Sequence, residues 1–179
     1  MATVDEVDRI IDAIKRDDAD AFASLLYTYP QHRYSDSGRE RWLSFAISDG
    51  RLKVVKTLVS LGADVNAPAN PTDSVPQPEG PMMYAAADGH LETVRYLLDI
   101  GVPANCVFEG HLRSVPLSMA AGGGHLDVVR VLVERGAVVN PAGLRSTPLD
   151  SARRNGQREV YEYLRSVGAK TAVELAAGE

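Results

Sequence analysis

The chain has 179 residues, 45% of them apolar and 24% charged, with a formal net charge of −5. That length and balance suit one folded soluble domain, and the acidic sign gives no general electrostatic case for nucleic acid. The single cysteine, Cys106, excludes an intramolecular disulfide and points to a reducing, cytoplasmic setting. Seven acids in the first 24 residues argue against a secretory leader, and no apolar run approaches the roughly 18 residues that a membrane span needs.

In chain order, residues 4–16 read as a helix with Val7, Ile10, Ile11 and Ile14 apolar and a charged outer face. A second helix should place Ala19, Ala21, Phe22, Leu25 and Leu26 inward, giving a capping unit at about 3–33. A second unit, 38–67, opens with Arg41-Trp42-Leu43-Ser44-Phe45-Ala46-Ile47. It ends in a proline-rich joint, Ala67–Glu79, expected to be a stiff projection. The third unit, 79–106, opens with Gly80-Pro81-Met82-Met83-Tyr84-Ala85-Ala86, and a second joint, Val107–Ser114, holds Phe108 and Leu112 at a loop tip. The fourth, 114–141, opens with Val115-Pro116-Leu117-Ser118-Met119-Ala120-Ala121. The fifth, 146–170, opens with Thr147-Pro148-Leu149-Asp150-Ser151-Ala152. Proline suits the first helical turn, where its missing N–H is not needed. Residues 171–179 are expected to form a short helical turn and a frayed end.

The last four units share one ruler. Two glycines 12 residues apart bracket a helix in each: Gly50 and Gly62, Gly89 and Gly101, Gly124 and Gly136, Gly156 and Gly168. Successive copies are offset by 39, 35 and 32 residues, and Asp17 falls 33 residues before Gly50. Between the glycines, Leu52, Leu91 and Leu126 share a slot. So do Val55, Val94, Val129 and Tyr161; Leu58, Leu97, Leu132 and Leu164; and Val59, Leu98 and Val133. These spacings predict one buried helix face, ended by the second glycine. A constant ruler with elastic joints means an all-α solenoid of helix-turn-helix units with short hairpin loops, forming a single domain over 1–179. Arg158 and Arg165 make the outward side of the last unit polar, so the stack should stop there. Acids dominate residues 1–24 and bases dominate 144–170, so the rod should be acidic at one end and basic at the other.

These pieces together resemble the ankyrin repeat: the Thr-Pro-Leu turn, the paired alanines, Gly-His-Leu at 89–91 and 124–126, the Val/Leu stripe, and Gly62-Ala63-Asp64-Val65-Asn66. The histidine that the family places after Thr-Pro-Leu is absent, with Ser44, Met83, Ser118 and Asp150 in its slot. The resemblance implies an ankyrin-repeat solenoid whose first helices line a concave face and whose loops project at its rim. It also implies a non-enzymatic protein–protein interaction module. An inhibitor or immunity-type protein that masks an enzyme or toxin is an alternative, and a self-assembling structural scaffold is another.

No paired carboxylates, nucleophile–base set or cofactor loop appears at a working spacing, so no catalytic residue, cofactor or metal is expected. His90 and His125 occupy equivalent slots, which argues for structural roles, each bonding its own local backbone. Asn66, Asn105 and Asn140 recur at the hairpin start, where hairpin bonding explains them. The partner-binding surface is expected at slots that vary between copies: Ser48, Asp49, Ala87, Asp88, Gly122, Gly123 and Arg154, with the glycines keeping the groove shallow. Phe108, Glu109, His111, Arg113 and Arg145 should extend it at the loop tips. Arg153 and Arg154 beside Arg145 form a basic cluster suited to an acidic anchor. The expected partner is another protein, without nucleic acid or membrane, and the free chain is expected to be a monomer.

Overall fold

A computed structural model describes residues 4–30, 38–65, 80–108, 111–113, 115–141 and 146–178. Among the described residues the fold is all-helical apart from one short hairpin, and the chain divides into two compact units, Met1–Pro81 and Met82–Glu179. The proline-rich joint, together with Asn66, falls outside the described residues.

In the first unit, α1 (Val4–Lys15) pairs with α2 (Ala19–Thr28), α3 (Gly38–Ser48) pairs with α4 (Leu52–Ser60), and α2 packs on α4. Ile10, Ala13 and Ile14 of α1 are buried with Phe22 and Leu26 of α2. Ala19, Ala21 and Leu25 are only half-buried. Asp17 has a φ of 51°, the left-handed conformation that Gly50 adopts at 68°. Aspartate tolerates that region better than most side-chain-bearing residues. Its carboxylate is also used: Oδ2 accepts from Lys53 N–H at 3.3 Å and Oδ1 from Val54 N–H at 3.1 Å. Those two donors open α4 and have no intrahelical acceptor. The N-cap residue of α4, Arg51, makes no side-chain capping bond, so Asp17 supplies the cap from the preceding helical pair.

The second unit contains α5 (Gly80–Ala87, which begins just before the boundary), α6 (Leu91–Asp99), a hairpin of β1 (Cys106–Phe108) and β2 (His111–Arg113), α7 (Val115–Gly123), α8 (Leu126–Glu134), α9 (Pro148–Arg154), α10 (Arg158–Ser166) and α11 (Ala172–Ala177). The strands pair antiparallel, Cys106 with Arg113, Val107 with Leu112 and Phe108 with His111. Inner helices α7 and α9 pack together, and outer helices α6, α8 and α10 form a second row. Arg135 and Asp99 bridge α6 and α8 at 2.9 Å, and the Arg130 guanidinium lies 4.9 Å from the Tyr163 ring centre between α8 and α10.

The glycine ruler holds at both ends of every outer helix from α4 onward: all eight glycines have positive φ. Two of the expected slots are buried, those of Val55 (apart from the half-buried Tyr161) and of Leu58, and one unforeseen slot, that of Val54, joins them. Val54, Val55 and Leu58 are buried, as are Thr93, Val94 and Leu97, Val128, Val129 and Leu132, and Val160 and Leu164. The leading Leu52, Leu91 and Leu126 are half-buried, as are Val59, Leu98 and Val133. At 100° per residue the three buried positions define an arc, and the half-buried ones fall on its margin.

The C-terminus is more ordered than expected. Helix α11 has a complete capping box, Thr171 with Glu174, and ends on Gly178 in the left-handed conformation. Arg165 is not simply a polar outward residue. It donates to both carboxylate oxygens of Glu174 at 3.1 Å and to the Ala169 carbonyl at 3.3 Å, holding α11 against α10.

Leu97 and Leu132 are fully buried on adjacent outer helices. Substituting either by alanine should cost about 2–5 kcal/mol in chemical denaturation. A loss under about 1 kcal/mol would mean that this arc is not the core.

Candidate functional site

Each outer helix starts with a residue that follows the repeat glycine: Arg51, His90, His125 and Gln157. None makes a side-chain capping bond to its own helix. His125 instead reaches back 38 residues, its Nε2–H donating to the Ala87 carbonyl at 2.8 Å. Gln157 likewise donates to the Gly122 carbonyl at 3.3 Å. The expected local backbone bond of His125 is therefore replaced by one to the end of the preceding inner helix. That helix end has carbonyls without intrahelical donors, and a side chain from the next repeat supplies one.

This bond explains one of the two glycines assigned to a shallow groove. A Cβ on Gly123 would lie 2.6 Å from Cδ2 and Nε2 of the His125 ring and 3.1 Å from the Ala87 oxygen. One on Gly89 would lie 2.7 Å from Cγ and Cε1 of the same ring, and one on Gly124 would lie 2.7 Å from Gln157 Cδ. Gly123 is thus bare because His125 needs the space. Gly122 is under no such pressure: its Cβ would meet Asn155 Nδ2 at 3.4 Å and Ser151 Cβ at 3.9 Å, close to ordinary contact.

The recurring asparagines also act between repeats rather than within their own hairpins. Asn105 donates to the Gly136 carbonyl at 2.8 Å and accepts from Val138 N–H at 2.9 Å. Asn140 repeats this with Gly168 (2.9 Å) and Lys170 (2.7 Å). A side-chain amide carries both donor and acceptor, so one residue satisfies both groups of the neighbouring loop.

Asp150, in the slot of the missing histidine, is 7% exposed. Its Oδ2 accepts from Thr147 N–H at 3.1 Å and Ala172 N–H at 2.8 Å, and Oδ1 accepts from Arg153 at 3.1 Å. The Thr147 hydroxyl accepts from Asp150 N–H at 3.2 Å and donates to the Lys170 carbonyl at 2.9 Å. The start of α9 is therefore tied to the start of α11. Arg153 is drawn out of the expected basic cluster, and Arg145 lies outside the described residues. Arg154 remains exposed, with its guanidinium held 2.8 Å from Ser146 Oγ.

Of the sequence-predicted contacts, Ala87, Asp88, Gly122, Gly123 and Arg154 come together at the C-terminal ends of α5, α7 and α9 in the second unit. Ser48 and Asp49 lie at the end of α3 in the first unit, where Asp49 bonds Arg51 at 3.3 Å. Phe108, His111 and Arg113 lie in the hairpin strands, and Glu109 is outside the described residues. Two exposed apolar side chains join this face unforeseen: Tyr84 (36% exposed) and Met119 (43%). They precede Ala87/Asp88 and Gly122/Gly123 by three and four residues, and so share their helix face. Their slot, five residues before each repeat glycine, holds Tyr84, Met119 and Ser151 in turn, a variability that was readable beforehand.

Among the described residues, no group of three or more His, Cys, Asp or Glu side chains is placed to hold a metal, and no helix is long and apolar enough to cross a membrane. A family model described as "Ankyrin repeats (3 copies)" matches residues 82–174, and one described as "Ankyrin repeat" matches 43–70. No curated protein matches the chain. Proteins built from such repeats are generally protein–protein interaction modules and typically not enzymes.

Burial pushes the Asp150 carboxyl up, but hydrogen bonds from Ala172 and Thr147 and the charge of Arg153 outweigh it and hold the group below its ordinary value. The Thr171 N–H and hydroxyl, aided by Arg165, lower Glu174 in the same way. A depressed carboxylate contributes stability that is fully present above its unfolded value near about 4 and is lost as pH falls through the folded one. Asp150→Ala should cost about 1–3 kcal/mol at pH 7. The gap between parent and variant should narrow as denaturation is repeated below about pH 4. A gap independent of pH would mean that the carboxylate charge is not what ties α9 to α11.

Proposed function

Because the chain belongs to the ankyrin-repeat family, we propose that it is a non-enzymatic cytoplasmic module that binds a partner protein through the inner-helix face of its second unit. The loop tips near Phe108, Glu109, His111, Arg113 and Arg145 extend that surface. The observation that carries this reading is the pair Tyr84 and Met119. Both are exposed on consecutive inner helices, where the neighbouring polar groups are largely consumed by internal bonds. Large apolar side chains flanked by small residues are what a partner's anchor residue packs on, and such anchors carry most of the binding energy of an interface.

Immobilised parent protein and a Tyr84→Glu/Met119→Arg variant should be compared for capture of proteins from cell extract. Both side chains are exposed, so the variant should retain the parent's helical circular dichroism and melting. Any specifically captured protein should be lost from the variant, with affinity down at least tenfold. Equal capture by the folded variant would remove the inner face from consideration and turn attention to the outer helices.

A further inference from the structure

We infer that the inner-helix face of the second unit reads charge order, taking an extended peptide segment that runs basic, apolar, acidic from α5 across α7 to α9. The inference rests on the proposal that this face is the binding surface. Its basis is what the face leaves exposed on three successive inner helices, Asp88 and Arg154 one and two residues before their repeat glycines and Met119 about a helical turn earlier. The C-terminal end of α5 presents Asp88; α7 presents Met119 above Gly122 and Gly123; α9 presents Arg154. Among the described residues, neither Asp88 nor Arg154 has an ion-pair partner, whereas the neighbouring Arg153 is occupied by Asp150 and, at the end of α3, Asp49 by Arg51. The bond that Arg154 donates to Ser146 Oγ fixes the guanidinium in place while leaving further donors open.

Adjacent packed helix axes lie about 8–10 Å apart. Three residues of extended chain span about 10 Å. Met119 lies about one helical turn, roughly 5 Å, off the line from Asp88 to Arg154, so a segment that runs obliquely over α7 meets the three with side chains about three to four residues apart. Extended backbone suits the floor of this face. Gly122 adds no side chain beside Met119 and the His125 ring takes the space over Gly123, so the floor suits a narrow strand of backbone better than a helix about 10 Å across. Opposite charges at the two ends also set direction: a reversed segment places like charges against each other at both. Arginine matches a carboxylate with paired N–H donors, so the acidic position belongs opposite Arg154.

The test is selection of a random 12-residue peptide library displayed on phage, against the parent protein, Met119→Arg, the neutralised pair Asp88→Asn/Arg154→Gln, and the exchanged pair Asp88→Arg/Arg154→Glu. Every variant changes exposed positions, and its fold is checked by thermal melting. The expected result is enrichment on the parent of peptides carrying base, apolar and acid about three to four residues apart. Synthetic copies should lose at least tenfold in affinity to the neutralised pair, and the exchanged pair should enrich the opposite order. Enriched peptides that depend on Met119 but show no charge order would overturn this inference and leave the binding face standing. Enrichment indifferent to Met119→Arg, or no enrichment at all, would overturn it too, the former together with the proposed face.

Discussion

A helix that begins after a tight turn has backbone donors without acceptors, and the helix that ends before the turn has carbonyls without donors. In this chain the remedy is found in the neighbouring repeat. Asp17 caps α4 from the preceding pair, His125 and Gln157 reach back to the ends of α5 and α7, and Asn105 and Asn140 serve the next loop. An isolated helical pair leaves these groups unsatisfied in addition to an uncovered apolar face. Two separate terms thus oppose a lone repeat, and both are removed by the same neighbour. Each such bond contributes on the order of 1 kcal/mol net, but leaving the group buried and unpaired costs more.

The arrangement divides the surface by use. The slots that follow the repeat glycine are committed to junctions at His125 and Gln157, and the outer-helix arc is committed to the core. What remains on the inner helices is a short row of exposed side chains that no internal bond has claimed, with Tyr84 and Met119 among them. Their freedom to vary follows from this. A position that neither packs nor bonds within the chain is limited only by solubility and by what it meets outside.

The helices and their ends were legible because a glycine with positive φ is a local requirement: the residue type and the backbone conformation are the same fact. Asp17 was placed correctly by register alone, although nothing local marks an aspartate as left-handed. What could not be read were bonds whose partners lie 30 or more residues away. His125 looked bound to its own local backbone because sequence spacing carries no direction of side-chain reach. The bareness of Gly123 looked like room for a ligand because the ring that fills the space belongs to a turn two residues on. Arg165 looked like a solvent-facing charge because the helix that holds Glu174 looked too short to be firm. One buried slot, that of Val54, Thr93, Val128 and Val160, was missed beside the two read correctly, because Thr93 breaks it when apolarity alone is counted, yet it is buried like the valines.

The seat of His125 between Gly89 and Gly123 bears on how such a chain can be recombined. Two of the residues that accommodate the ring belong to different copies of the repeat, and the acceptor, Ala87, lies beside the first of them. Gln157 is matched to Gly122 and Gly124 in the same fashion. Cutting the chain at repeat boundaries and shuffling whole copies therefore separates side chains from the spaces shaped for them. A transplant that keeps the junction intact, from one inner helix through the next outer-helix start, carries its complementarity along. The heritable module is the joint rather than the copy.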